Sequence, residues 1–325
     1  MSSPILGIHH ITGAVTKPQR DYDFYTQTLG LRMIKQTVNH ESPNMWHFFY
    51  GDYAGNPGTV MTNIIFDGIP LPRCKPGRGG ISSLAYSVPK SSLGYWRDRL
   101  TGAGYRCEDR GERFGETVLY FEDPEGLPSE LIGCDDALRH AQGERESWNG
   151  VPQHSTVRGF HSATIMSRLH ELTLEFFTQL VGFDVIASEN DRIRLSVNGG
   201  GPGTYIDLMN VDDGPWARFG LGAIHHVALT VADIETMHRM WGKLSGAGLI
   251  LTDLRDRKWF HSTYFTEPGG INLEISNVTP GFTVDEPLAE LGTTLQLPKQ
   301  WEAQRGQIES VLPKMDFRRP AMASS

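Results

Sequence analysis

Short runs of alternating apolar and polar residues recur along the chain, each followed by a segment whose apolar residues fall at helical spacing. Alternation marks half-buried strands and a 3.6-residue period marks amphipathic helices. Four copies of one unit can be traced: a first strand, a helix, two or three strands, a Pro/Gly turn and a last strand. The first strands are Gly7-Ile8-His9-His10-Ile11-Thr12, Ile81-Ser82-Ser83-Leu84-Ala85-Tyr86, Phe160-His161-Ser162-Ala163-Thr164-Ile165 and Ile224-His225-His226-Val227-Ala228-Leu229. Helices are expected over 21–29, 91–100, 171–181 and 233–244. Several stop at a glycine, as in Leu29-Gly30-Leu31 and Val181-Gly182-Phe183, where positive φ ends a helix with little strain. The turns Asn56-Pro57-Gly58, Asp123-Pro124-Glu125-Gly126, Gly201-Pro202-Gly203 and Glu267-Pro268-Gly269-Gly270 lead into the last strands Val60-Met61-Thr62, Ser129-Glu130-Leu131, Ile206-Asp207-Leu208 and Leu273-Glu274-Ile275.

One helix and several strands per unit predict an α+β fold of four βαβββ units, the helix covering one sheet face and the other face free to curve around a pocket. A chain of 325 residues can hold two domains with sizeable cores. The expected division is 1–140 and 158–282, two units each. A charged, turn-rich linker is expected over 141–157, and an extension over 283–325 breaks the pattern.

Strand phase then sorts the side chains, because neighbours in a strand point to opposite faces. In the fourth unit Val227, Leu229 and Val231 form an apolar row for the helix, which turns His226 to the open face. The same phase puts His10 and Thr12, Ser83, and Ser162 on that face in the other units. On the last strands it selects Thr62, Glu130, Asp207 and Glu274. Strict alternation sends His9, His225 and His161 to the helix side, and His161 reads as structural. A pocket shared by the first and fourth units gathers His10, His226 and Glu274 beside the neutral Thr62. One shared by the second and third units holds serines and the carboxylates Glu130 and Asp207, expected to be hydrogen-bonded or solvated. A histidine alone on a half-buried strand is ordinarily a core residue. Two at equivalent positions, with a carboxylate at the expected third place, point instead to a divalent metal held on one face and open on the other.

Charge and composition narrow the picture further. The net charge of −8 and a pI near 5.8 exclude a basic nucleic-acid-binding face. Three cysteines without paired spacing (Cys74, Cys107, Cys134) suit free thiols in a reducing compartment. No apolar stretch is long enough to span a bilayer and the first residues lack a signal-peptide pattern, so a soluble cytoplasmic protein is expected.

The repeats, together with Ile8-His9-His10-Ile11-Thr12, Lys35-Gln36-Thr37-Val38-Asn39, Arg158-Gly159-Phe160-His161-Ser162, Asp256-Arg257-Lys258 and Glu267-Pro268-Gly269-Gly270 followed by Glu274, give the chain a resemblance to the vicinal oxygen chelate superfamily. Within it the chain resembles the hydroquinone ring-cleaving dioxygenases. The resemblance runs from Gly7 to about Gly292. It implies two glyoxalase/bleomycin-resistance/dioxygenase-like domains, Fe(II) held by His10, His226 and Glu274, and small aromatic substrate and O2 as partners. It further implies supporting or substrate-facing roles for His9, Thr12, His225, Arg257 and Tyr264. His47, on the corresponding strand of the first unit, is a candidate to reach the same pocket. Asn63-Ile64-Ile65 departs from the aromatic residues expected after Met61-Thr62 and bears on substrate preference. Neither a nucleic acid nor a membrane is implied, and a homo-oligomer is left open. Rival readings are a glyoxalase-like isomerase or thiol transferase, an extradiol catechol dioxygenase and a non-catalytic binder of aromatic compounds. Thr62 stands where glyoxalases typically place a second carboxylate, which weakens the first.

Overall fold

The computed structural model describes residues 3–135, 149–211 and 213–318. Of the expected linker over 141–157, only residues 149–157 are described. The first unit comprises β1 (Ile5–Val15), α1 (Pro18–Asp23), β2 (Arg32–Val38), β3 (Trp46–Gly51) and β4 (Val60–Ile65). The second comprises β5 (Gly80–Val88), α2 (Leu93–Gly102), β6 (Cys107–Arg113), β7 (Glu116–Glu122) and β8 (Pro128–Gly133). The third has β9 (Phe160–Met166), α3 (His170–Glu175), β10 (Asp184–Glu189), β11 (Arg192–Ser196) and β12 (Tyr205–Met209). The fourth has β13 (Ile224–Val231), α4 (Ile234–Gly246), β14 (Arg255–Asp256), β15 (His261–Thr266) and β16 (Asn272–Asn277).

The units pair across the chain rather than along it. One eight-stranded sheet runs β14-β15-β16-β13-β1-β4-β3-β2 and joins units one and four; the other runs β10-β11-β12-β9-β5-β8-β7-β6 and joins units two and three. In each, the two first strands meet antiparallel at the centre, and each pairs with its own unit's last strand in parallel. The arrangement is the expected α+β fold, with two curled half-barrels and few helices.

The helices bury one face against the sheets, where Val227, Leu229 and Val231 join Met237, Met240 and Leu244 in one apolar cluster. Asp233 caps α4 by accepting from the Thr236 backbone N–H at 2.7 Å, which satisfies one of the free amides at the helix start. Two of the predicted helices are not regular: α1 and α3 continue as π-helical turns at Phe24–Thr28 and Phe176–Val181. Each wider turn starts at a consecutive aromatic pair, Phe24-Tyr25 and Phe176-Phe177, and buries both rings.

The Pro/Gly turns stitch the sheets together. Gly58 accepts from the Phe160 N–H and Gly203 from the Ile8 N–H, both at 2.7 Å. Gly7 and Gly159 make these contacts possible. Both have positive φ, and a Cβ there would stand 2.6 Å from the Gly203 carbonyl and 2.8 Å from the Gly58 carbonyl.

Beyond Phe282 the chain wraps the first unit. Lys35, fully buried on β2, ion-pairs Asp285 at 2.6 Å and Glu286 at 2.5 Å. Gln36 donates to the Gly292 carbonyl, Trp301 to the His40 carbonyl and Trp46 to the Pro313 carbonyl. A short helix, α5 (Arg305–Val311), lies in this stretch. Among the described residues no helix is long and apolar enough to cross a membrane.

Candidate metal centre and pocket

The register of the outer sheet decides which side chains meet. Thr12 lies opposite His226 across β1 and β13 and beside Thr62 across β1 and β4; Glu274 sits beside Ala228 and opposite Tyr264. His10 Nε2, His226 Nε2 and Glu274 Oε2 converge. The nitrogens stand 3.2 and 2.9 Å from the oxygen and 3.4 Å from each other. All three residues are buried.

Strict alternation fails at the neighbouring histidines. The β1–β13 register slips at His9 and again at His225, so each is the extra residue of a β-bulge. Ser82 and His161 occupy the matching slips between β5 and β9. The bulges bring adjacent rings together: His9 Nδ1 lies 2.9 Å from His10 Nδ1, and His225 Nδ1 lies 2.7 Å from His226 Nδ1. His161, expected on the helix side, instead reaches Glu116 at 3.0 Å and the Ser162 hydroxyl at 3.1 Å.

These contacts set the proton positions. His9 Nε2 faces the Asn277 carbonyl at 3.2 Å, so that nitrogen carries the proton and donates. Burial, reinforced by the adjacent His10, pulls the His9 pKa down to about 3 and keeps the ring neutral. Its Nδ1 is then an acceptor, and His10 Nδ1–H must be the donor. The lone pair of His10 is left on Nε2, aimed at the centre. At His226 Nε2 the Thr12 hydroxyl approaches to 2.8 Å; Thr12 in turn meets Thr62 at 2.8 Å, and Thr62 meets His47 Nε2 at 3.1 Å. Ser276 donates to Glu274 Oε1 at 2.7 Å, and Ser262 donates to the same oxygen. Among the described residues Oε2 meets only the two imidazole nitrogens and accepts no hydrogen bond from a hydroxyl or amide. Burial alone would raise the Glu274 pKa, but the two imidazoles hold it well below the usual carboxylate range.

A buried carboxylate oxygen without a hydroxyl or amide donor, facing two imidazole nitrogens, is a ready-made site for a cation. Adjacent donors on a six-coordinate ion with bonds of about 2.1 Å stand roughly 3 Å apart, close to the spacing here. The residues present fit a divalent transition metal.

The centre opens on a cavity of about 660 Å³ walled by His47, Phe49, Ile64, Phe66, Arg257 and Tyr264, among others. That volume suits a small organic molecule. His47 does reach the pocket. In the Asn63-Ile64-Ile65 stretch only Ile64 faces it, while Asn63 turns away and donates to Asp21 at 2.7 Å. Arg257 Nε donates to the Tyr264 hydroxyl at 3.1 Å, and its Nη1 pairs Glu41 at 2.9 Å. Burial and the nearby Glu274 push the Tyr264 phenol well above its ordinary pKa, so it remains a donor. Glu41, which fixes Arg257, and Phe260, whose ring lies 4.9 Å from that of His9 and 5.4 Å from that of His10, carry no periodic signal in the sequence.

The inner sheet is built differently. Glu130 is held by Arg113 through two bonds of 2.8 Å, and Asp207 by Arg194 at 2.8 and 3.0 Å. The carboxylates are hydrogen-bonded, as expected, but by arginines on β6 and β11 that the strand pattern does not place there. Glu116, His161 and Cys134 also approach one another, but Glu116 is already engaged by Arg194 at 2.6 Å.

Residues 7–131 and 159–275 match the family model of the Glyoxalase/Bleomycin resistance protein/Dioxygenase superfamily. The chain belongs to this superfamily. It is 34% identical over 320 residues to the "Putative ring-cleaving dioxygenase MhqO" of Bacillus subtilis (strain 168), covering 98% of this chain and 99% of that protein. It is 32% identical over 316 residues to the chlorohydroquinone/hydroquinone 1,2-dioxygenase of Sphingobium indicum, covering 93% and 94%. A crystal structure of a "putative dioxygenase" from B. subtilis superposes with a TM-score of 0.88 at 33% identity, covering 97% of this chain and 99% of that one. Glyoxalase I from Zea mays, at 12% identity and a TM-score of 0.61 over 84% of this chain and 92% of its own, shares the superfamily fold.

Proposed function

We propose that the chain is an Fe(II)-dependent ring-cleaving dioxygenase that opens hydroquinone-type aromatic rings with O2. One observation carries the reading: His10, His226 and Glu274 converge at a largely apolar cavity, in the ligand combination of non-haem Fe(II) oxygenases. The printed names of the relatives support the same reaction class.

Bound iron would supply a route for electrons between a closed-shell ring and O2, which no side chain offers. The rest falls to the protein. Phe49, Ile64 and Phe66 take the apolar faces of a ring and keep water away. The Tyr264 hydroxyl donates to an oxygen of the ring as negative charge develops there, and Arg257, anchored by Glu41, orients that phenol. His9 and His225 fix the ring orientations of His10 and His226 through their Nδ1 atoms. Thr12 and Thr62 form a hydroxyl chain from beside His226 Nε2 to His47, which burial keeps neutral, and with iron on that nitrogen Thr12 no longer donates to it.

Oxygen consumption tests the proposal. Protein loaded with ferrous iron under nitrogen should take up one O2 per hydroquinone and lose the aromatic absorbance. No uptake with hydroquinone or with its chloro and methyl derivatives would sink the reading. Uptake with catechols alone would reassign it to an ortho-diol.

A further inference from the structure

A second cavity of about 230 Å³ backs onto the metal pocket, and the two share His225 and Asn272 as a common wall. It is formed where the two segments linking the sheets run alongside each other: Lys75 and Arg218 exchange backbone hydrogen bonds of 2.9 and 3.0 Å. That bridge sets two cations directly opposite one another, an arrangement that destabilises an isolated strand pair. Arg168 adds a third. Its side chain lies against Gly79 and Gly270, where Cβ atoms would stand 2.2 and 3.1 Å from its Nε, and its guanidinium stacks over Trp216 at 5.1 Å. None of the three forms an ion pair among the described residues, and no carboxylate lines the cavity. Lys75, Arg168 and Arg218 are solvent-exposed, but three cations gathered around one hollow make it a favourable place for an anion.

We propose that this hollow binds the carboxylate of a small organic acid, the ring-opened product. The inference rests on the function proposed above. There O2 adds both its atoms, the bond between the hydroxylated carbon and its neighbour breaks, the first carbon becomes a carboxyl group and the second an aldehyde, and no further oxidant is consumed. The substrate is neutral and the product is ionised near pH 7. A cationic hollow beside the reaction site therefore discriminates product from substrate by charge alone.

Calorimetric titration of iron-loaded protein under nitrogen with cis,cis-muconate, a six-carbon diacid, provides the test, with inorganic phosphate as the second probe. Muconate should bind, and Arg168→Gln/Arg218→Gln should raise its Kd at least tenfold, while Tyr264→Phe in the metal pocket shifts it less than twofold. Both arginines are exposed, so equal melting temperatures are expected for variant and wild type. Muconate should also slow steady-state oxygen uptake in the wild type and lose that effect in the double variant. Absent muconate binding, binding indifferent to the two arginines, or phosphate binding as tightly as muconate would each overturn the assignment. If charge-dependent muconate binding persists in a protein that consumes no O2 with hydroquinones, the anion site stands and the dioxygenase reading falls. If oxygen is consumed with hydroquinones and muconate does not bind, the dioxygenase reading stands and the anion site falls.

Discussion

His9 is the residue whose replacement examines the metal centre most finely without touching a donor atom. Its Nε2–H is committed to the Asn277 carbonyl, which makes its Nδ1 the acceptor for His10 Nδ1–H and leaves the His10 lone pair on Nε2. His9→Leu fills the buried space but removes the acceptor. His10 then has a buried N–H without a partner, at a cost of about 1–3 kcal/mol, or shifts its proton to Nε2, where it blocks the donor position. Either route should weaken metal affinity by about 10- to 100-fold, equivalent to roughly 1.4–2.8 kcal/mol. His9→Asn places an amide oxygen near the old Nδ1 and should recover most of that loss. The assay is competition for Fe(II) against a chelator of known affinity, under nitrogen, with Co(II) as an oxygen-stable second probe. Melting curves of metal-free protein separate folding from binding. Unaltered affinity in His9→Leu, or equal losses in the Leu and Asn variants, would refute the tautomer assignment.

Three further outcomes are expected. Tyr264→Phe should keep full metal content and lower kcat by at least about tenfold, measured by oxygen uptake, because it deletes a single donor to developing charge; unchanged turnover removes Tyr264 from the chemistry. Lys35→Met leaves the buried Glu286 carboxylate without a cation, while Asp285 keeps Lys258 at 2.8 Å, and should cost about 3–5 kcal/mol in urea unfolding. Adding Glu286→Gln should return much of it, and a negligible single-variant effect would mean that the wrapping segment is not held there. Burial raises the Asp123 pKa to about 6, against bonds from the Leu127 and Glu125 N–H groups and from Tyr25 that lower it. In the folded state Asp123 therefore holds an extra proton between about pH 4 and 6, and its own contribution to stability should fall by about 2–3 kcal/mol as pH rises through that window, opposite in sign to the contribution of His9 and His47, which burial keeps neutral. Asp123→Asn should remove that falling contribution, and a wild-type-minus-variant stability difference that rises through the window would contradict the sign.

Strand periodicity reveals the four units because each first strand buries one face under a helix, so a shift of one residue would expose Val227, Leu229 and Val231. The same phase locates His10, Thr12, Thr62, His226 and Glu274 on one face. The bulges at His9, Ser82, His161 and His225 are not legible, because a bulge is set by the hydrogen-bond register between two strands and leaves no mark on either pattern alone. The arginines of the inner sheet escape notice for a related reason. Arg113, Arg192 and Arg194 read as exposed positions of polar strands until the curl of the sheet brings them to Glu130 and Asp207. The docking of the final segment depends on Lys35 meeting carboxylates some 250 residues later, a contact no local pattern can encode.

At the centre of the proposed chemistry is one ferrous ion held jointly by His10, His226 and Glu274. Iron per chain after anaerobic loading and desalting measures this directly, comparing wild type with His226→Ala in protein shown by circular dichroism to be folded. One iron per wild-type chain and close to none in the variant are expected. Full iron occupancy in folded His226→Ala protein would contradict the shared site.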